Sequence, residues 1–238
     1  MKILKTILIV TTWMLTSFIS VAQQSGNNVK VIGEMRKVMW EGQLNGNIIL
    51  DTISDKEHLY GLGPVEFLKG ELLIVDGKSY RATINNDSNI KVEETYLSKA
   101  PFFGYANIDK WRVQDLPDSI KTMKDLENYL DKSTKSTSRP FMFKIIGTVE
   151  HADIHVVNLP PETEVNSPDV VHRNQSYFSI KNQDSQIIGF FSTEHKTIFT
   201  HHDTYLHMHL ITSDVKKMGH VDDVNFRKGN LKLYLPEQ

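Results

Sequence analysis

Two histidines with one residue between them, His207 and His209, lie in Tyr205-Leu206-His207-Met208-His209-Leu210-Ile211-Thr212, and a third, His220, follows Met218-Gly219. If the first stretch is a β-strand, its side chains alternate between faces. His207 and His209 then project to one side with Cα atoms roughly 6 to 7 Å apart, a separation that suits two imidazoles on one metal ion. Leu206, Met208 and Leu210 fall on the opposite face, where an apolar row packs into a core and holds the histidine row in place. The polar segment 213–219, ending in Gly219, reads as a hairpin loop before a second strand from His220 to Phe226. That return brings His220 beside the first pair. Three neutral imidazoles with an open fourth position form a catalytic zinc pattern, and the same set suits iron, copper, nickel or manganese. The plainer alternative is three ordinary histidines on a solvated strand face.

A carboxyl group belongs in the same picture. Leu72 to Val75 and Lys78 to Ile84 read as strands joined by Asp76-Gly77, the strongest short hairpin signal. Glu71 stands at the start of the first of these strands, after Gly70. Its position between core and solvent is one where burial would raise its pKa into a range useful for proton transfer. A solvent-facing glutamate at a strand end is the bland alternative. Nearby, Ala100-Pro101-Phe102-Phe103-Gly104-Tyr105 is an aromatic segment fit either to wall a pocket or to pack a core.

The elements that must position these residues are predominantly strands. Phe141 to Ile146, Ile154 to Leu159, Tyr177 to Lys181, Ile187 to Ser192 and Thr197 to Thr200 are β-branched or aromatic runs broken by Gly, Pro or Asn. One helix is expected from Thr122 to Lys132, with Thr122 and Asp125 as a capping box and Ile120, Met123, Leu126 and Leu130 at helical spacing. A shorter helical end around Val38-Met39-Trp40 precedes a turn. The whole reads as an α+β protein. It divides into a sheet-rich half over 38–138 and a metal-binding sheet half over 139–238, split at the polar linker 132–140.

The 238 residues are 39% hydrophobic, enough for a sizeable core. The N-terminus reads as a targeting segment: Lys2 and Lys5, an apolar run from Ile7 to Ile19, then Ser20-Val21-Ala22 as a cleavage pattern. Residues 1–22 are therefore expected to be a secretory signal peptide rather than a lasting membrane span, followed by a flexible polar leader over 23–37. Loss of Lys2 and Lys5 takes the formal charge from −2 to −4, and that mild acidity argues against a nucleic-acid partner. With no cysteine in the chain, an exported protein has no disulfide, and a metal must be held by His and carboxylates.

The run Gly61-Leu62-Gly63 through Gly70-Glu71-Leu72 and Asp76-Gly77-Lys78-Ser79-Tyr80 resembles the Gly-x-Gly-Thr-Phe, Asp-Gly-Glu and Asp-Gly-x-x-Tyr segments of α-acetolactate decarboxylases. The resemblance continues through Ala100-Pro101-Phe102, Gly189-Phe190, Leu206-His207-Met208-His209 and Gly219-His220-Val221, over roughly residues 38 to 236. It implies a two-domain α+β fold and zinc on His207, His209 and His220, with Glu71 as the active-site carboxylate. It also implies a small-molecule 2-hydroxy-3-keto acid as substrate, with conversion of 2-acetolactate to acetoin and carbon dioxide. In that chemistry the metal binds the ketone and hydroxyl oxygens and acts as an electron sink, while a carboxyl such as Glu71 delivers a proton. Self-association as a homodimer is left open.

Several positions depart from the family pattern. His155 stands where the family has an active-site arginine, and an imidazole lacks the permanent charge and forked donors of guanidinium. Pro64 replaces a threonine, Tyr205 replaces a small residue, and a further C-terminal glutamate has no counterpart, since nothing in the spacing of Glu237 puts it there. Asp223 matches the family aspartate after Gly-His-Val, and either orients His220 or is a solvated surface group. His201, His202 and Asp203 read as the turn before the ligand strand rather than as a second metal site. Two other readings remain open: a relative that binds a metal or small molecule without catalysis, and a cupin-like metal hydrolase or oxygenase, since His-x-His also opens cupin sites.

Overall fold

The computed structural model describes residues 29–200, 204–226 and 230–237. Along the first part of the chain run β1 (Lys30–Ile32), α1 (Met35–Glu41), β2 (Ile48–Ile49), β3 (Leu59–Pro64), β4 (Glu71–Val75), β5 (Lys78–Ile84), β6 (Ile90–Glu94), β7 (Lys99–Ala100) and β8 (Phe103–Asn107). They are followed by β9 (Trp111–Asp115), α2 (Met123–Ser133), β10 (Phe141–Val157), α3 (Pro168–His172), β11 (Gln175–Phe191), β12 (Leu206–Thr212), β13 (Met218–Asn225) and β14 (Lys232–Pro236). One six-stranded sheet has the order β1-β8-β3-β4-β5-β6 and a second the order β11-β12-β13-β10-β14-β9, with β2 and β7 as a separate pair. The ladders are antiparallel. β10 and β11 also pair with each other from Phe141↔Phe191 to Val157↔Gln175, which turns the second sheet back on itself.

Strand alternation decides what meets between the two sheets. Leu73 of β4 packs with Ile211 of β12 and with Ile188 and Phe190 of β11 in one buried cluster, so these side chains define the face where the sheets meet. Glu71 lies two residues before Leu73, and His209 two before Ile211. Both therefore point into the same layer. The opposite face of β12, Leu206, Met208 and Leu210, packs with Leu126 and Leu130 of α2, as the alternation predicts. Leu72 and Ile74 go to a third cluster behind the first sheet. The ligand strand is thus buried on both faces along its whole length, and the solvated-face alternative does not hold.

The Asp76-Gly77 hairpin forms as expected: Val75 pairs with Lys78, and the two loop residues have φ of 47° and 78°, the double positive φ of a type I′ turn. Helix α2 starts where Thr122 and Asp125 make the reciprocal capping box.

Other expectations are corrected. Part of the segment expected to be a flexible leader, 30–37, is ordered: Val31 pairs with Gly104 as the edge of the first sheet, and Met35 of α1 is buried. The runs around 141–146 and 154–159 belong to one 17-residue strand, and those around 177–181 and 187–192 belong to another. Gly147 does not end the strand. Its φ of 144° and the approach of the Asn230 carbonyl, 2.5 Å from where a Cβ would sit, make it the site where the chain before β14 crosses close to β10. Thr197–Thr200 forms no strand, only an isolated bridge from Lys196 to Thr200. The 132–140 linker does not separate the sheets, because β9 already belongs to the second sheet through its pairing with β14. Met218 and Gly219, expected in a loop, open β13. The proposed signal peptide lies outside the described residues, as do His201, His202 and Asp203. Among the described residues no helix is long and apolar enough to cross a membrane.

One buried carboxylate holds the approach to the ligand strand. Glu127 of α2 is 4% exposed and accepts hydrogen bonds from Thr204 Oγ1 at 2.6 Å and the Tyr205 amide at 2.7 Å, with Lys124 on its other oxygen. Burial pushes this carboxyl up, but the hydrogen bonds from Lys124, Thr204 and the Tyr205 amide outweigh it and hold the pKa below the ordinary glutamate value. Glu127→Ala is expected to cost about 1–3 kcal/mol, chiefly by leaving the Tyr205 N–H unsatisfied. The contribution is fully present above the unfolded glutamate pKa and fades as pH falls through the depressed folded value. Urea denaturation of wild type and variant at neutral and acid pH checks this: the stability gap should shrink on acidification.

Candidate metal centre

His207 and His209 project from β12 toward the sheet interface, and His220 of β13 lies directly opposite His209 in the ladder. The ring centroids are 5.3 Å apart for His207 and His209, 5.0 Å for His207 and His220, and 5.4 Å for His209 and His220, a nearly equilateral triangle. One ring nitrogen from each of the three lies within 4.8 Å of the others, and all three residues are buried. At zinc–nitrogen bonds of about 2.0–2.1 Å, three tetrahedral ligand atoms stand roughly 3.3–3.4 Å apart, so modest rotations of the rings close the triangle on an ion. This donor set, all imidazole, convergent and dry, fits a divalent transition metal.

Glu71 completes one wall. It is 4% exposed, its Oε2 is 3.6 Å from His209 Nε2, and its Oε1 accepts from the Val157 amide at 3.2 Å. Burial pushes its carboxyl well above the ordinary glutamate value; the Val157 N–H works against this, and the Asp222 charge adds to it. The sequence placed this group at an edge between core and solvent, and the structure buries it fully. Gly70 makes that possible, since its φ of 143° brings the chain against the Ala82 carbonyl, 2.1 Å from where a Cβ would sit.

His155 of β10 joins the cluster from the other side. It pairs across the ladder with His220, their rings 4.7 Å apart, and its Nε2 is 4.0 Å from Glu71 Oε1. Asp222 Oδ1 lies 2.7 Å from Nδ1, and Gln175 Nε2 lies 3.0 Å from Nε2. A carboxylate can only accept, so Nδ1 carries the proton and Nε2 accepts from the amide. Both nitrogens are thus engaged, and His155 is not one of the three convergent imidazoles. The remaining cleft is walled by Met35 and Met39 of α1, Pro64, Phe102, Val157 and Val171. Phe102 thus answers the question left open for the aromatic segment: it faces the site, its ring 6.1 Å from that of His207, while Phe103 is core.

Two open points are decided here, and Asp223 falls to its surface alternative. Asp223 does not orient His220; it lies opposite Asp153 on an exposed stretch, beyond a bulge between Asp153 and Ile154, and the aspartate that engages the cluster is Asp222 through His155. Glu237 cannot stand in for the missing tail glutamate. It follows β14, which pairs at Tyr234 with Lys144, roughly 36 Å of strand away from His155. Gln175 carried no signal in the sequence, because its neighbour His155 lies 20 positions earlier across the β10–β11 ladder. Asp222 was findable: strand parity from His220 puts it on the same face.

Fold and site together define a two-sheet α+β protein with a buried three-histidine centre beside a buried carboxyl. The chain belongs to the alpha-acetolactate decarboxylase family, whose model matches residues 34–237. It is 25% identical over 198 residues to an alpha-acetolactate decarboxylase of Brevibacillus brevis, covering 81% of this chain but 65% of that protein's length. It is 27% identical over 207 residues to one of Lactococcus lactis, covering 85% of this chain and 80% of the relative. In fold it is similar to the crystal structure of alpha-acetolactate decarboxylase from Bacillus subtilis strain 168, with a TM-score of 0.70, 20% identity, and coverage of 88% of this chain and 86% of the other.

Proposed function

We propose that this chain decarboxylates 2-acetolactate, or a related 2-hydroxy-3-keto acid, to acetoin and carbon dioxide, with zinc on His207, His209 and His220. The observation that carries the reading is the buried Glu71 carboxyl set 3.6 Å from His209 in a cleft with apolar walls. A divalent metal bound there supplies Lewis acidity to the ketone and hydroxyl oxygens of such a substrate. Burial disfavours the Glu71 anion, which suits this carboxyl to deliver a proton to the carbon from which carbon dioxide has left. The Val157 N–H fixes one carboxyl oxygen and leaves the other facing the site. Met35, Met39 and Phe102 exclude water and receive the substrate's methyl groups. The N-terminal segment, read as an export signal, puts this reaction outside the cytoplasm.

A non-catalytic relative that only binds is favoured by one observation: among the described residues no arginine or tail glutamate lines the inner cleft, and His155 is committed to Asp222 and Gln175. Racemic acetolactate added to the zinc-loaded chain separates the two. Acetoin formed well above the spontaneous rate is expected; formation at the spontaneous rate leaves the binding reading alone.

A further inference from the structure

Gln175 opens β11 opposite Val157, and both ends of its amide are held: Nε2 donates to His155 Nε2 at 3.0 Å, and Oε1 accepts from the Tyr177 hydroxyl at 2.7 Å. A primary amide nitrogen has two hydrogens, and His155 takes one of them. The second has no acceptor among the described residues. Gln175 lines the inner cleft that contains Glu71, His207 and His220, and it also lines a wider cleft bounded by Lys124, Glu127, Tyr177 and Asp222. His172 and His220 are the other residues common to both, so Gln175 stands at the junction of the two spaces. No Lys or Arg lines the inner cleft among the described residues.

We propose, building on the decarboxylase reading above, that Gln175 determines specificity by holding the ligand's carboxylate through this second Nε2–H, a neutral donor in a cleft whose described lining holds no Lys or Arg side chain. Tyr177 and His155 are its positioning residues. They fix which way the amide faces, since reversing it would set an amide oxygen against the His155 lone pair. A hydrogen bond to a charged acceptor in such a place changes affinity about ten- to a hundredfold.

Calorimetry on the zinc-loaded full chain tests this with two inert probes, 2-hydroxyisobutyrate, which carries a carboxylate, and acetoin, which does not. Gln175→Met keeps the length and removes the donor; it should weaken 2-hydroxyisobutyrate about ten- to a hundredfold and leave acetoin within about threefold. Gln175→Glu keeps the acceptor for Tyr177 and should weaken the carboxylate probe at least as much. The proposal is overturned if both variants bind 2-hydroxyisobutyrate as wild type does, if both probes weaken together, or if wild type binds neither. Wild type that shows the expected pattern yet releases no acetoin from acetolactate would sink decarboxylation while leaving the role of Gln175 intact.

Discussion

Replacing His209 by Ala is expected to abolish tight metal binding, lowering affinity by more than about a hundredfold, beyond the ten- to hundredfold that changes around a ligand set cost. His209 is the central member of the triangle. It is fully buried, opposes His220 in the ladder, and is the histidine nearest Glu71. A ligand that binds only the folded state stabilises it by about 2.7 kcal/mol at one hundred times its dissociation constant. Zinc should therefore raise the unfolding midpoint of wild type and leave that of His209→Ala unchanged. Competition with a chromophoric chelator measures the affinity directly. If the variant keeps zinc as wild type does, the triangle is not the metal centre.

Glu71→Gln is the second change with a large expected effect. Turnover of acetolactate should fall about 10²- to 10⁴-fold, the range for loss of a positioned proton donor. The amide oxygen of Gln can still accept from the Val157 N–H, so the fold and the apolar walls are kept. Glu71 stands outside the convergent imidazole set, so zinc binding should weaken far less than in His209→Ala. The diagnostic is the split: kcat collapses while metal content and KM stay close to wild type. A variant with unchanged kcat would reduce Glu71 to a buried structural carboxyl.

The chemistry-bearing residues were legible where local periodicity alone fixes geometry. The parity of His207 and His209, the apolar row behind them and the return of His220 follow from a period of two and one short hairpin loop. Asp76-Gly77 and the Thr122 cap were readable for the same reason, since a turn type or a capping box is written in adjacent residues. What was hidden depends on pairing across long loops. His155 meets Gln175 only because β10 and β11 pair over 17 residues, and those strands looked like several because glycine and polar residues interrupt their outer face. The depth of Glu71 was hidden too. It is set by the second sheet lying over β4, which no local pattern around Gly70 announces. Asp223 was chosen over Asp222 by motif matching, whereas strand parity and the bulge favour its neighbour.

X-ray absorption spectroscopy of the zinc-loaded chain, beside His207→Ala and His220→Ala, puts the account to its most direct test. It predicts one zinc per chain with three imidazole nitrogens at about 2.0–2.1 Å, the remaining coordination filled by oxygen, and loss of one nitrogen scatterer in each variant that still retains metal. Zinc held by fewer than three imidazoles, or a coordination shell untouched by either substitution, would contradict it.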